Sequence, residues 1–296
     1  MRPTRFDQIV ETCEAERKTL DAFALEYEIE RAGKSEDEIL RLMQYQLDVM
    51  KAAAEHGLYA DNEMLYGLTS GCDGKKLLQK YEEGKTIAGG LVPYATAIAL
   101  GIMEYNASMG RIVAAPTAGS AGIVPGCLLS AQEQYAFSDE KVIRALLVSA
   151  LVGVVMAHRE VSFSGSVGGC QGEVGVSSAM AAAGLAALFT DDPKAPFAAM
   201  AICMKNLLGL VCDPIAGPIE VPCIKRNAVG VANAFISAEM ALAGIESYIP
   251  PDQVVDALID VERRLPGALR CTTTGGLACT QKAVCLRAKL AEQSAT

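Results

Sequence analysis

Apolar residues recur at helical spacing from the start of the chain. Residues 35–57, SEDEILRLMQYQLDVMKAAAEHG, carry an apolar residue at every third or fourth position, which marks one face of an α-helix. This segment opens with a capping box, Ser35 followed by Glu38, and Gly57 marks its predicted end. The preceding residues 6–33 are also helix-like. We therefore predict an N-terminal helical pair within residues 1–60.

Longer apolar runs predict further helices downstream. A short helix and an apolar helix are expected between Lys75 and Gly110, separated by paired glycines. Other predicted helices cover residues 141–158, 174–189, 196–210, 229–243 and 252–264. No strand-like alternation stands out, and no segment has the composition of a long linker. The pattern predicts a mostly α-helical fold, a single domain of packed apolar helices over residues 1–296.

Composition agrees with a helical, non-nucleic-acid-binding protein. Apolar residues make up 51% of the chain, but aromatic residues only 5%, so alanine and aliphatic side chains must fill the core. A net charge of −9 disfavours nucleic-acid partners. The most apolar run, residues 145–157, is shorter than the roughly 20 residues that span a bilayer. We expect neither a nucleic-acid partner nor a membrane.

The cysteines indicate the compartment. The N-terminus is too charged for a signal peptide, and ten cysteines without an export signal predict a reducing, cytoplasmic environment. Thiols there serve metals, catalysis or packing. Cys127 and Cys203 lie in apolar runs, which is typical of packing cysteines.

Glycine-rich polar segments interrupt the apolar helices. They are PTAGSAG (116–122), SFSGSVGGCQGEVG (162–175), CDPIAGPIEVPC (212–223) and CTTTGGLACT (271–280). A loop packed among apolar helices must satisfy its backbone polar groups, and binding a ligand is one way to do so. We predict that these Gly/Pro-rich loops converge on the functional site.

Three cysteines, Cys170, Cys212 and Cys223, belong to these segments and are predicted to lie on loops rather than on helix faces. Glycines beside Cys170 would let the backbone approach an inorganic cofactor closely. Structural zinc sites usually pair cysteines two to four residues apart, whereas 41 and 10 residues intervene here. The spacing alone leaves an iron–sulfur cluster, zinc and simple packing open.

Four segments closely resemble one known family, the α subunit of iron–sulfur-dependent L-serine dehydratase (L-serine ammonia-lyase). They read NASMGRIVAAPTAGSAGIVPG, SFSGSVGGCQGEVGVSSAMAAAGLA, GLVCDPIAGPIEVPCIKRNA and TTTGGLA, and the likeness continues in order to Ala278. The resemblance implies a [4Fe–4S] cluster held by Cys170, Cys212 and Cys223. It implies a lyase that converts L-serine to pyruvate and ammonia without pyridoxal phosphate, using the open iron of the cluster as a Lewis acid.

The resemblance also suggests substrate-binding residues in two of the loops. The expected set is Thr117, Gly119, Ser120, Asn106, Ser164 and Ser166. In PTAGSAG the hydroxyls and backbone N–H groups would cradle the substrate carboxylate; the alternative is a tight turn between two helices. In SFSGS the hydroxyls would line the substrate pocket or bond to cluster sulfides, or merely satisfy a buried loop.

The general base stays open at this stage. His158, Lys225 and Glu173 are the candidates. His158 could instead cap a helix C-terminus, and Glu173 could favour a helix N-terminus through the macrodipole. Lys225 and the adjacent Arg226 could neutralise the charge of the cluster or the substrate, or face solvent.

Two departures from single-chain relatives bear on the partner and on the cluster. Those relatives carry an additional β domain that this chain lacks, so we expect a separate β subunit. Some end in a cysteine that folds onto the open iron, whereas this chain ends AEQSAT, and Cys271, Cys279 or Cys285 could substitute.

Alternative functions remain compatible with the sequence. L-cysteine desulfidation or L-threonine deamination could use the same cluster, because the substrates differ by one leaving atom or one methyl group. A non-catalytic iron–sulfur sensor and a helical structural subunit are the alternatives outside enzymology.

Overall fold

The computed structural model describes residues 4–216 and 220–293. The described part contains thirteen α-helices and no strand longer than a single β-bridge. They are α1 (Phe6–Glu16), α2 (Leu20–Ala32), α3 (Glu36–Tyr59), α4 (Asp73–Glu82), α5 (Val92–Ala107), α6 (Ile123–Tyr135), α7 (Asp139–His158), α8 (Gly165–Gly168), α9 (Val176–Phe189), α10 (Lys194–Lys205), α11 (Cys223–Leu242), α12 (Pro251–Arg264) and α13 (Gln281–Gln293). The predicted mostly α-helical fold is confirmed.

The capping box forms at the start of α3. The Ser35 hydroxyl accepts a hydrogen bond from the Glu38 N–H at 3.3 Å, and the Glu38 carboxylate accepts one from the Ser35 N–H at 2.9 Å. The helix continues past Gly57 to Tyr59, two residues beyond the predicted end. Gly57 packs against Gly101 of α5, so its role is close helix contact rather than helix termination.

The opening segment forms one helix more than predicted. Residues 6–33 divide into α1 and α2 because Arg17 adopts a left-handed conformation (φ 52°) and the Lys18 N–H turns back to the Cys13 carbonyl. Phe6 and Ile9 of α1 are fully buried. Three helices rather than two therefore lead into the core.

Three helices were not predicted: α6, α13 and the four-residue α8. Pro125 and Gly126 suggested a break, but Pro125 lies in the first turn of α6, where a missing N–H costs no intrahelical bond. Gly126 lets α6 approach α5 closely, since a Cβ there would lie 2.8 Å from the Ala95 carbonyl oxygen. Of the predicted helices, α10 ends earlier than expected, at Lys205 rather than at residue 210.

The core surrounds two Ala-rich helices, α5 and α9. α9 packs against α6, α7, α10 and α11, and α5 packs against α3, α4, α6 and α11. α7 and the continuous helical segment Gln171–Phe189 are long and apolar enough to cross a membrane, but 67% and 83% of their most apolar windows are buried inside the domain. They have the burial expected of core helices in a soluble protein.

Close backbone contact between α3 and α5 gives a first prediction. A Cβ at Gly57 would lie 2.2 Å from the Gly101 carbonyl carbon, so Gly57→Ala must push two helices apart. We expect it to lower the free energy of unfolding by about 2 kcal/mol or more, despite the better helix propensity of alanine. Gly89→Ala is the matched control, because nothing lies within 4 Å of its Cβ position. Equal stabilities of the two variants in chemical denaturation would contradict the packing argument.

The ends of three elements meet on one side of this core. A π-helical turn, Gln171–Gly175, leads into α9, and α11 begins at Cys223. The segment after α12 returns to the same place, where Cys212 forms a parallel bridge with Arg270. The N-terminal ends of α9 and α11 therefore face the cysteine-bearing loops.

Candidate metal centre

Cys170 and Cys212 lie side by side in the interior. Both are 2% exposed, and their sulfur atoms and a carboxylate oxygen of Glu173 lie within 4.8 Å of one another. Cys170 immediately precedes the π-helical turn that carries Glu173, a kind of helix irregularity that is frequent at functional sites. This group of two thiols and one carboxylate is the centre of the candidate site.

Backbone hydrogen bonds hold the two cysteine segments together. The Gln171 N–H donates to the Leu210 carbonyl at 3.0 Å, and the buried Gln171 side chain accepts from the Gly209 N–H at 2.8 Å. Gly169 has φ 73°, and a Cβ there would lie 2.6 Å from the Leu265 side chain. Only glycine fits this turn, so the glycine beside Cys170 permits close contact between protein segments.

Cys223 approaches the same site from α11. It is the first residue of that helix rather than a loop residue, which corrects the prediction from the sequence. Pro222 occupies the N-cap position, where the missing N–H of proline removes no intrahelical hydrogen bond. Burial, and then the negative charges of Cys170 and Glu173, raise the pKa of the Cys223 thiol to about 12. Gly217 and Pro218 of the connecting loop, expected to stiffen it, lie outside the described residues.

Arg226 supplies the positive charge of the site. Its guanidinium donates to the Cys170 sulfur at 3.4 Å and to the Val211 carbonyl at 2.8 Å. It also forms an ion pair of 2.6 Å with the buried carboxylate of Asp213. A hydrogen bond from Cys212 and the Arg226 charge lower the pKa of Cys170 against the opposing effect of burial, while the same bond and burial raise the pKa of Cys212. The contact with the Arg226 guanidinium thus favours the thiolate form of Cys170.

Glu173 connects the cysteines to the PTAGSAG loop. Its carboxylate accepts a hydrogen bond of 2.9 Å from the Thr117 hydroxyl, and a Cβ at Gly119 would lie 3.3 Å from the same carboxylate. Burial raises the pKa of Glu173, and the Thr117 hydrogen bond partly offsets this effect. Thr117 and Gly119 thus lie beside the group of Cys170, Cys212 and Glu173.

Two other predicted residues, Ser120 in this loop and Asn106 at the end of α5, hydrogen-bond to the loop backbone. The Ser120 hydroxyl is buried and donates within the loop, to the Ala115 or Thr117 carbonyl at 3.3 and 3.4 Å. The Asn106 side chain donates to the Ala118 carbonyl at 2.9 Å. Ser120 and Asn106 therefore shape the turn, and Thr117 is the side chain of the loop that contacts Glu173.

The SFSGS segment forms the rim of the site. Ser164 and Ser166 are exposed, and their hydroxyls bond to each other at 2.7 Å. Between them, Gly165 lies against the centre: a Cβ there would be 2.6 Å from the Glu173 carboxylate and 2.8 Å from the Cys212 sulfur. The SFSGS segment therefore contacts the cysteine site through its backbone at Gly165 rather than through the hydroxyls of Ser164 and Ser166.

The three candidate bases lie in different environments. His158 is exposed at the end of α7, and Lys225 is 70% exposed and paired with Asp73 at 3.4 Å. Glu173 is the candidate whose side chain lies among the cysteines and the PTAGSAG loop. Of the two adjacent cations, Arg226 faces the site and Lys225 faces solvent.

One residue of the site was missed in the sequence, Asn227. Its buried side chain donates to the carbonyls of Gly119 and Cys223 at 3.0 and 2.9 Å and accepts from the Gly122 N–H at 3.2 Å. It therefore joins the PTAGSAG loop to the first turn of α11. The available signal was an amide four residues after Cys223, on the same helix face.

Removing this bridge should weaken the fold at the site. We expect Asn227→Ala to lower the free energy of unfolding by about 2–3 kcal/mol, because it leaves buried backbone groups without partners. Urea denaturation measures the change. Asn206→Ala is the control, since Asn206 is exposed and bonds to another side chain. An equal effect of the two substitutions would argue against the bridging role.

A separate cavity lies beside α1. It has a volume of about 630 Å³ and is lined by α1 and by residues 246–253. It shares no lining residue with the cysteine site. This cavity is therefore separate from the group of Cys170, Cys212 and Glu173.

Comparison with known proteins gives a consistent result. The family model described as "Serine dehydratase alpha chain" matches residues 15–278. The chain is 44% identical over 273 residues to the probable L-serine dehydratase alpha chain of Bacillus subtilis, covering 92% of this chain and 90% of that protein. It is 42% identical to the L-serine dehydratase alpha chain of Peptoniphilus asaccharolyticus, covering 92% of both.

The chain also matches part of a longer relative. The L-serine dehydratase of Haemophilus influenzae is 31% identical over 277 residues, which cover 92% of this chain but 60% of that protein. The match therefore leaves a large part of that relative uncovered.

Proposed function

The chain belongs to the serine dehydratase alpha chain family, and we propose that it is the cluster-bearing catalytic component of an L-serine ammonia-lyase. The reaction would convert L-serine to pyruvate and ammonia. The single observation that carries the proposal is the grouping of Cys170, Cys212 and Glu173 within 4.8 Å in a member of this family. Thiols for a metal centre and a carboxylate for proton transfer lie together.

The donor set fits a [4Fe–4S] cluster. Cys170, Cys212 and Cys223 would hold it, and the nearby guanidinium of Arg226 would offset part of its negative charge. With three thiolates from the chain, one iron would have no protein ligand, and the bound cluster would supply Lewis-acid chemistry for the departure of the serine hydroxyl. Nothing in this scheme requires pyridoxal phosphate.

Glu173 is the proposed acceptor of the serine α-proton. Its carboxylate lies next to the cysteine sulfurs and is oriented by the Thr117 hydroxyl. The backbones at Gly119 and Gly165 both lie close to this carboxylate, since a Cβ would be 3.3 Å from it at Gly119 and 2.6 Å at Gly165, so both loops border the proposed base. The released aminoacrylate would become pyruvate and ammonia in water.

The neighbouring loops would bind the substrate. Thr117 and the backbone at Gly119 are proposed to contact the serine carboxylate, with Ser120 and Asn106 maintaining the loop. Ser164 and Ser166, at the rim, would meet the substrate as it enters. Small loop residues suit a small substrate, and L-cysteine and L-threonine remain alternatives that differ little in shape.

A separate β subunit is the proposed partner. The relatives named as alpha chains match this chain over nearly their whole length, whereas the longer Haemophilus protein extends well beyond it. The name alpha chain, carried by these relatives, implies a second chain, and we propose that such a partner completes the rim of the site. We propose a cytoplasmic location, where cysteine thiols stay reduced.

The test is anaerobic reconstitution with iron and sulfide, with and without the β subunit, followed by measurement of pyruvate from L-serine. Pyruvate formation with close to four irons per chain is the expected result for a [4Fe–4S] enzyme. Four irons with no change in L-serine, even with the β subunit present, would favour a sensor. L-cysteine and L-threonine in parallel assays would identify the preferred substrate.

A further inference from the structure

A fourth cysteine, Cys271, lies beside the centre on a different segment of the chain. The Cys212 N–H donates to the Leu269 carbonyl at 2.9 Å, and the Cys271 N–H donates to the Cys212 carbonyl at 2.6 Å. Cys212 is paired with Arg270 in this bridge, so Cys271 lies one residue further along. A strand spacing of about 4.8 Å and a rise of about 3.3 Å per residue place the two Cα atoms about 6 Å apart, within the range of about 4.4–6.8 Å that disulfides span. The main chain thus holds both cysteines at bridging distance.

The backbone conformation of Cys271 brings its side chain toward Cys212. In a regular bridge, Arg270 would share a face with Cys212, and Cys271 would point to the other face. Cys271 instead has φ 55°, a left-handed conformation that breaks this alternation. After the effects of Cys170 and burial, the Cys271 side chain also contributes to raising the pKa of the Cys212 thiol, as expected for neighbouring thiols.

Other contacts keep the two segments together without a metal. Asp213, next to Cys212, accepts a hydrogen bond of 2.8 Å from the Leu277 N–H. Gly276 packs on the same carboxylate, where a Cβ would lie 2.3 Å from an oxygen. The Arg287 guanidinium donates to the Ile215 carbonyl at 2.9 Å. The C-terminal segment is therefore also attached to the cysteine loop just beyond the thiol pair.

The two thiols differ in their access to solvent. Cys271 is exposed, whereas Cys212 and its other thiol neighbour, Cys170, are both 2% exposed. A small disulfide in solution can reach Cys271 but not the buried thiols. Cys271 is thus the entry point for thiol–disulfide exchange, and Cys212 is positioned to complete it.

We propose that Cys212 and Cys271 form a reversible disulfide in the cluster-free chain, which withholds Cys212 from the metal centre. The oxidant is a low-molecular-weight disulfide such as oxidised glutathione. Cys271 attacks one of its sulfur atoms, and one glutathione leaves as a thiol with the Cys271 proton. Cys212 then attacks the Cys271 sulfur, and the second glutathione leaves with the Cys212 proton. Two protein thiols are oxidised, and one small disulfide is reduced to two thiols.

The effect of the disulfide on cluster loading rests on the proposed function, whereas formation of the disulfide does not depend on that function. A bridged Cys212 would be unavailable as a cluster ligand, so cluster assembly would require prior reduction. A bound cluster would in turn protect Cys212 from exchange. The pair would make loading of the centre depend on the thiol redox state of the cell.

The test treats the full-length, cluster-free chain with oxidised glutathione, then alkylates free thiols and maps the peptides by mass spectrometry. We expect a Cys212–Cys271 crosslinked peptide, loss of alkylation at both of these cysteines, and reversal by dithiothreitol, whereas the exposed Cys279 and Cys285 can form only glutathione adducts. The Cys279→Ser variant should behave like the unmodified chain, because Cys279 is exposed but contacts the Thr273 carbonyl rather than Cys212. The Cys271→Ser variant should form no bridge to Cys212.

Two results would overturn the proposal. They are a Cys170–Cys212 crosslink in place of the expected one, and a glutathione adduct on Cys271 that never resolves.

Iron uptake separates this proposal from the proposed function. The oxidised chain should take up less iron than the reduced chain, and the Cys271→Ser variant should be insensitive to the treatment. If the reduced chain binds no iron, the cluster hypothesis fails while the crosslink result still stands.

Discussion

Cys212→Ala is expected to abolish both cluster binding and pyruvate formation. Cys212 lies with Cys170 at the middle of the site, and its loss leaves too few thiolates to retain the cluster. Without Lewis-acid assistance worth several kcal/mol, turnover should fall by about a thousandfold or more. Bound iron, sulfide and pyruvate release are measured on the same anaerobically reconstituted samples.

The matched control for this substitution is Cys127→Ala. Cys127 is fully buried on α6, and its surroundings are apolar core residues. Its loss should cost some stability but leave the iron content unchanged. If Cys212→Ala keeps its iron and turnover, the cysteines are packing residues and the proposed centre is wrong.

Glu173→Gln is expected to separate cluster binding from catalysis. Glutamine keeps the size of the side chain and its contact with Thr117 but cannot accept the α-proton. We expect normal iron content and a kcat lower by about 10²–10⁴-fold, the usual contribution of a general base. Iron analysis and steady-state kinetics with L-serine provide the two readouts.

Two comparisons make this result interpretable. Glu239→Gln removes an exposed carboxylate on α11 and should leave kcat unchanged. A carboxylate oxygen of Glu173 lies within 4.8 Å of both cysteine sulfur atoms, close enough for all three groups to bind one metal ion. Loss of iron in Glu173→Gln would therefore identify Glu173 as a ligand rather than a base. Unchanged kcat with full iron content would return the role of base to His158, Lys225 or the β subunit.

Helix boundaries illustrate how far local sequence determines structure. The start of α3 was predicted correctly because its capping box is made of residues three positions apart. Its end was not, because Gly57 is required by a contact with Gly101 from another helix. α6 was missed for the same reason, since Gly126 serves packing against α5. Glycine and proline therefore do not always mark a helix end, because packing against a helix distant in sequence can require glycine within a helix.

The candidate site shows the same division. Local sequence identified the four glycine-rich segments and their cysteines, because polar glycine-rich loops between apolar helices are unusual in composition alone. Motif resemblance then assigned the family, which the comparisons confirm. Only the tertiary structure distinguished Arg226 from Lys225, since adjacent residues on a helix face different directions. It also revealed the bridging role of Asn227, which depends on a loop more than 100 residues away.

By itself, then, the sequence determined the helical class, the loops that carry the chemistry and the family. These follow from periodicity, composition and motif order, which are properties of the chain alone. The tertiary structure decided which of those residues meet. Cys170, Cys212 and Glu173 come together, and Cys271 joins Cys212, because helix packing and single hydrogen bonds fix distances between segments far apart in sequence. No local pattern encodes such distances, since they depend on how the apolar faces of α5, α9 and α11 fill one core.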